Sequence, residues 1–426
     1  MKKFKRLLSV LSSAALAAAM FTSCGTQAGN SGGSASDSPA GESKAGTSSE
    51  ETVKVGLLHS LTGAMAISEK SVRDAEVLAI EEINASGGVL GKKIIYAEED
   101  GASEPSTFAT KAEKLIDSEK VATIFGCWTS SSRKAVKPIV EDYEALLWYP
   151  VQYEGMESSK NIVYTGAAPN QQIVPAIEYL IDKGYKKFFL LGSDYVFPRT
   201  ANMIINAQVK NAGLEVVGEE YADMDQTDFA AIISKIEAAK PDVIVNTLNG
   251  TGNVSFFKQM NEKNYTSDSY MTMSFSIAEE EVATIGADIL KGHMVSWNYY
   301  QTTEGEKNKA FVSAYKAKFG DSRVTSDPAE AAYDAVYLWA DACTKANSFD
   351  PDKVIKAVES GEISFDAPEG KVTIQGDNHH LVKPVRIGQV GTDGLISEVY
   401  ATDPVAPDPY LTTYKWAVDA GIQPLE

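Results

Sequence analysis

From Val53 onward, short β-rich runs alternate with amphipathic helical stretches, and this alternation limits the fold more than any other feature. Val53–Leu58 reads as a buried strand. Ser71–Ala85 follows as a helix with Val72, Ala75, Ala79, Ile80 and Ile83 on one face, stopped by Gly87-Gly88. Strand Lys93–Glu98, helix Ser106–Ser118 with Ser106 as N-cap, strand Val121–Phe125, helix Ser130–Tyr143 and strand Ala145–Trp148 continue the series. The rhythm restarts after Pro169. Strands are expected at 187–191, 214–221, 243–248, 270–273 and 292–297, with helices at 171–183, 200–212, 229–239 and 254–261. Strands joined by helices of this length imply parallel sheets with right-handed crossovers, so two blocks imply two doubly wound α/β lobes. The tail carries helices at 307–319, 329–346 and 351–359, then strand-like runs at 371–374 and 382–387, which would complete both lobes. The expected division is residues 52–168 plus about 297–372 for the first lobe, and 169–296 plus about 373–426 for the second.

The N-terminal segment sets an address. Lys2, Lys3, Lys5 and Arg6 precede an apolar run, Leu7 to Met20, broken only by Ser9, Ser12 and Ser13. The run is too short and too rich in small residues to span a bilayer, and residues 1–23 read as a signal peptide. Phe21-Thr22-Ser23-Cys24-Gly25 looks like a bacterial lipobox with Phe21 where Leu is usual, so Cys24 is expected to be lipidated. Residues 24–51 are almost entirely small and polar, without an aromatic. Such a stretch cannot bury enough apolar surface to order itself and reads as a flexible tether. Its span would be ~30 Å, from roughly 5–6 Å times the square root of its length. The expected location is the extracytoplasmic face of the cell membrane, held through the lipid anchor alone.

Charge and chemistry exclude several classes. The formal charge is −19 and becomes −23 once the four basic signal residues leave. That argues against nucleic acid and against electrostatic membrane binding. Beyond Cys24, only Cys127 and Cys343 remain, each in an apolar segment, and they read as buried free thiols. His59, His293, His379 and His380 show no zinc spacing, and no metal or cofactor is expected; His379-His380 reads as a solvated loop. The body holds no Gly-x-Ser-x-Gly elbow, His-Glu-x-x-His or Walker lysine motif. Gly250-Thr251-Gly252 lacks the third glycine of a dinucleotide fingerprint. Cys127 as an amidase-type nucleophile would need a nearby base, and no His is close to it in sequence. The expectation is a binding protein, not an enzyme.

In open parallel sheets, ligands bind beyond the carboxyl ends of the strands. Those ends carry His59-Ser60-Leu61-Thr62-Gly63, Gly126-Cys127-Trp128-Thr129-Ser130, Tyr149-Pro150-Val151-Gln152-Tyr153, Gly192-Ser193-Asp194-Tyr195-Val196-Phe197, Asn249-Gly250-Thr251 and Ser274-Phe275-Ser276. Hydroxyls, amides and rings with few charges suit a small, neutral, planar, hydrogen-bonding solute. The segment 126–134, together with Tyr149–Gly155, Tyr164–Gln172, Gly192–Arg199 and Pro407–Tyr410, resembles the amide- and urea-binding branch of the periplasmic-binding superfamily.

That resemblance covers Val53 to about Tyr414. It implies the type I periplasmic-binding fold, α/β with two Rossmann-like lobes joined by a three-stranded hinge, and a solute-binding receptor that delivers urea to the permease of an ABC importer. It also suggests Trp128, Ser130, Tyr149, Val151, Tyr195 and Phe197 as pocket positions. Val151-Gln152 matches the urea receptors, where the amide sensors of the family carry Thr-Pro. Gln152 would add an amide at the pocket or its rim. Asn249 and Ser276 are further candidates by position. Each has a plainer reading: Trp128 and Phe197 as packing, Ser130 as a helix cap, and Arg133, Lys134 and Glu154 as structural ion pairs. The solute alternatives are a short-chain amide, such as formamide or acetamide, and a branched-chain amino acid, for which Ser60, Thr62 and Asp194 could supply the zwitterion contacts. A ligand-sensing regulator is argued against by the export signal.

Overall fold

Two sheets organise a computed structural model that describes residues 51–423. The expected signal peptide, the expected lipidation at Cys24 and the expected tether as far as residue 50 lie outside the described residues. The strands are β1 Thr52–His59, β2 Lys93–Asp100, β3 Ile124–Gly126, β4 Leu147–Tyr149, β5 Ile162–Tyr164, β6 Lys187–Ser193, β7 Glu215–Ala222, β8 Val243–Thr247, β9 Thr272–Ser274, β10 Met294–Trp297, β11 Ser364–Ala367, β12 Gly370–Gln375, β13 His380–Val382, β14 Arg386–Val390 and β15 Ile396–Ala401. The first sheet has eight strands in the order β11-β12-β13-β5-β4-β3-β1-β2, and the second has seven in the order β15-β14-β10-β9-β8-β6-β7. Pairing is parallel from β1 to β5 and from β6 to β10, and antiparallel among the strands of the tail.

The central strands are apolar without interruption because both faces of each sheet are covered. Leu57, Phe125 and Trp148 fill one core of the first lobe, while their neighbours Leu58, Ile124, Leu147 and Tyr149 fill the other. In the second lobe, Phe188, Leu190 and Val245 divide from Phe189, Leu191 and Ile244 in the same way. The side-chain period of two sends successive residues to opposite faces. Helix Ala66–Ala85 packs against helix Asp327–Ala346 on the first lobe.

Several expected boundaries moved. The first long helix starts at Ala66, and the helix begun by Pro105 has Glu104 at its N-cap position, so Ser106 lies inside it. The run 382–387 is not one strand. Val382 ends β13 in the first sheet and Arg386 begins β14 in the second, so the chain leaves the first lobe about ten residues later than the expected 372. Lys383-Pro384 at the break was the available signal, because proline has no N–H to give a strand ladder.

Three crossings therefore join the lobes: one after β5, one after β10 and one after β13. Their polar groups are sewn together. The Asn298 amide donates to the carbonyls of Gln171 (3.0 Å) and Pro384 (2.6 Å), one on each of the other crossings. The Gln171 amide donates to Leu381 and Val405. Lys383 Nζ reaches the Thr165 carbonyl at 2.9 Å.

His379 and His380 are not in a solvated loop; both are buried, and His380 opens β13. The His380 ring stacks on Tyr164 at 4.3 Å, its Nδ1 lies 2.6 Å from the Asn378 carbonyl and its Nε2 2.7 Å from the Tyr153 hydroxyl. Burial pushes it down to about 3. The unfolded chain takes up a proton near pH 6.5 that the folded chain refuses. Stability from this group is therefore complete above that pH and lost as pH falls. In guanidinium-unfolding series from pH 6 to 4, His380→Gln is expected to flatten the loss by about 1.4 kcal/mol per pH unit relative to the parent. Equal slopes would remove His380 from the acid response.

Candidate functional site

The first lobe's wall is built where β3 ends. Gly126 has φ +145°, and a Cβ there would sit 2.0 Å from the Leu58 carbonyl oxygen, so only glycine fits. Cys127 follows in the left-handed region, with φ +66°. This reversal ends the strand at Trp128 and starts the helix Ser130–Asp142, capped by Thr129, whose Oγ1 accepts the Ser132 N–H at 3.1 Å.

Behind the wall lies a buried charge network. Arg133 donates through Nε to Glu157 (2.9 Å), through Nη2 to Glu154 (3.1 Å) and through Nη1 to the Ser130 hydroxyl (3.0 Å). Ser130 donates in turn to Glu154 at 2.5 Å. The guanidinium carbon lies 4.9 and 4.6 Å from the ring centres of Tyr149 and Tyr153. Burial alone would raise Glu157, but Arg133 and Lys137 override it and bring it down to about 2. The expected structural pairing of Arg133 with Glu154 is present, and it consumes the Ser130 hydroxyl. The Tyr149 hydroxyl is likewise engaged, donating to the Trp128 carbonyl at 2.5 Å.

The second lobe presents the ends of β6, β8 and β9. Asn249 accepts the Trp128 indole N–H across the cleft at 3.4 Å and contacts the Tyr195 hydroxyl on its own side. The Phe275 carbonyl takes two amides, from Gln152 of the first lobe (2.9 Å) and from Gln172 of the first crossing (3.3 Å). Gln172 also donates to the Ser296 carbonyl at 2.7 Å. At the cleft's edge, Ser68 donates to Glu281 at 2.6 Å. Gly250 lies so close to the first lobe that a Cβ would be 2.6 Å from the Ala64 carbonyl oxygen. The lobes are closed on one another.

Eight of the nine expected positions follow strands and Tyr149 ends one, but they divide by environment. Trp128 and Asn249 join across the lobe junction, Gln152 crosses it to the Phe275 carbonyl, and Ser276 follows Phe275 in sequence; all four are nearly inaccessible. Tyr195 keeps a partly exposed ring beside Phe197. Phe197 packs in the second-lobe core with Ile173 and Leu190, and Val151 packs in a first-lobe core with Tyr149. Sequence reasoning passed over Gln172 and the Ser68–Glu281 contact. The doubled Gln171-Gln172 at a lobe crossing was the available signal; nothing local marks Ser68.

Polar atoms without a hydrogen-bond partner collect at the junction: Gln152 Oε1, Gln172 Oε1 and Ser276 Oγ. The groups that could hold a zwitterion are already engaged within the first or second lobe. The Ser60 N–H donates to Glu69 (2.6 Å), the Thr62 hydroxyl to Asp100 (2.7 Å), and Asp194 pairs with Arg199 (2.6 Å). Burial raises Glu69 to about 7, and His59 is held between it and Glu76. Cys127 is fully buried and its thiol is pushed up by burial, the reverse of an activated nucleophile.

A sequence model described as the periplasmic binding protein domain matches residues 53–415. A Leu/Ile/Val-binding protein homolog 8 of Brucella suis is 25% identical over 382 residues, covering 84% of this chain and 93% of its own. A leucine-, isoleucine-, valine-, threonine- and alanine-binding protein of Pseudomonas aeruginosa is 26% identical, covering 76% of this chain and 85% of its own. Among solved structures, a Rhodopseudomonas palustris ABC-transporter solute-binding protein in complex with 4-hydroxybenzoate superposes with TM-score 0.75 at 23% identity, covering 83% of this chain and 98% of that one. A leucine-binding protein from Thermotoga maritima superposes with TM-score 0.72 at 22% identity, over 83% and 99% of the two chains.

Proposed function

The chain belongs to the periplasmic binding protein family, and from that premise we propose that it is the extracytoplasmic receptor of an ABC importer that captures urea between its lobes. One observation carries the choice of solute. The cation beside the junction, Arg133, is neutralised by Glu154 and Glu157, whereas the polar atoms left unpartnered there are two amide oxygens and a hydroxyl. Amide oxygens accept N–H groups, and a urea or short amide supplies N–H donors without bringing a charge that would need a partner. A solute carboxylate would have to be desolvated beside Glu154 with the guanidinium already committed.

Binding is by closure. The solute joins one lobe, the other swings over it about the three crossings, and differential contact in the closed form shifts the equilibrium. The closed surface is what the permease would recognise. No covalent step is involved, and the membrane is reached through the proposed lipid on Cys24.

The test is a thermal-shift panel of urea, formamide, acetamide, leucine and 4-hydroxybenzoate. Urea is expected to raise the melting temperature most, and Gln152→Leu to weaken urea at least about tenfold, the equivalent of about 1.4 kcal/mol for one lost hydrogen-bonding group. Stabilisation by leucine without urea would overturn the choice of solute and favour the ligand class named for the Brucella and Pseudomonas relatives.

A further inference from the structure

Away from the cleft, the hinge side of the first lobe holds a second polar centre. Helix Asp327–Ala346 should bury an apolar stripe, yet Asp327, Glu330 and Asp334 lie at spacings that share one face, and each is fully buried. Asp327 braces the second crossing, where its Oδ2 accepts the N–H groups of Asn298 (2.7 Å) and Tyr299 (2.9 Å). Glu330 and Asp334 instead converge with Glu369, from the turn between β11 and β12, so that one carboxylate oxygen of each lies within 4.8 Å of the others. Lys383 Nζ, on the third crossing, pairs by charge with Glu369 Oε1 at 3.1 Å.

The cluster is not satisfied by protein groups. Glu330 Oε1 accepts the Glu369 N–H at 2.9 Å. Glu369 Oε1 has only the Lys383 ammonium, and no protein N–H reaches Glu330 Oε2, either oxygen of Asp334 or Glu369 Oε2, although all three residues are at most 3% exposed. Three buried carboxylates against one ammonium leave two negative charges uncompensated, which a low-dielectric interior does not tolerate. One proton shared between two carboxyls joins two oxygens and leaves the remaining ones bare. A dication meets both the charge and the surplus of acceptors. With oxygen donors alone, the site suits a hard ion such as calcium, magnesium or manganese, not zinc or copper.

We propose that Glu330, Asp334 and Glu369 form a buried site for one hard divalent cation, which ties the first lobe's long helix to the hinge. Glu369 and Lys383 link this centre to the Thr165 carbonyl on the first crossing, and Asp327 links its helix to the second. The ion would be structural: it has no open face toward the solute cleft.

The experiment uses the full chain purified without chelator and dialysed against metal-free buffer, with calcium or magnesium chloride added back in separate samples. Elemental analysis is expected to find about one equivalent of dication per chain, and melting curves to rise on adding calcium or magnesium after chelator treatment. Asp334→Asn and Glu330→Gln, which keep side-chain volume, are each expected to lose the bound ion and the thermal response while still binding solute. Absence of stoichiometric metal in the parent chain at neutral pH, with melting that rises only on acidification, would overturn the proposal and assign the cluster to protons. Metal retained in both variants would overturn it equally.

Discussion

Replacing Arg133 with leucine is expected to destabilise the fold by about 3–5 kcal/mol, the range for removing one partner of a buried ion pair. Arg133 is fully buried, and its three nitrogens serve Glu157, Glu154 and Ser130. Without it, two carboxylates and a hydroxyl face each other, and Glu157 loses the guanidinium that holds its carboxyl down to about 2. Lysine is not expected to rescue, since a single ammonium cannot match the fork that reaches both glutamates while lying over the rings of Tyr149 and Tyr153. Guanidinium chloride denaturation measures the loss. A triple replacement, Arg133→Leu with Glu154→Gln and Glu157→Gln, removes the stranded charges and is expected to recover much of it. A single replacement costing less than about 1 kcal/mol would show that the network contributes little.

Gly250→Ala is expected to lower solute affinity about 100-fold or more, equivalent to about 2.7 kcal/mol or more against the closed form. The reason is geometric. The Cβ would approach the Ala64 carbonyl oxygen to 2.6 Å and the Met65 sulfur to 3.0 Å, both in the opposite lobe, and neither backbone can withdraw without reopening the cleft. The residue also sits at φ +58°, so a further cost of about 1–3 kcal/mol falls on the fold itself. Gly252→Ala separates the two effects. Its Cβ would meet nothing nearer than 3.9 Å, and affinity there should stay unchanged. Calorimetric titration with urea reads affinity and melting reads stability. Unaltered affinity in Gly250→Ala would refute closure through this contact.

The candidate site was legible to the extent that it depends on strand ends. Trp128 reaches Asn249 and Gln152 reaches the carbonyl before Ser276 because each of these residues follows a parallel strand, and parallel strands place their carboxyl ends on one side. What position could not show was direction. Tyr149 and Val151 belong to the same strand end as Gln152, yet Tyr149 turns its hydroxyl to the Trp128 carbonyl and Val151 enters the core. A one-residue step reverses the face, and short strands of three residues give no pattern long enough to fix it. His379-His380 looked exposed because two polar residues follow Asp377-Asn378 in a turn-like run; the stacking of His380 on Tyr164 depends on β13 pairing with β5 more than two hundred positions away in sequence.

By itself, the sequence determined the two α/β blocks, because the alternation of buried strands and amphipathic helices is a local consequence of side-chain period and helix stops. It also determined that reactive chemistry has no ready motif among the residues at the strand ends. Only the tertiary structure decided where the chain crosses between lobes, which polar groups remain unpartnered at the junction, and that Glu330, Asp334 and Glu369 converge on one another beside the Lys383 ammonium. These are properties of contacts between distant segments. Burial and partnership belong to the space around a residue, and the space is set only when both lobes and all three crossings are in place.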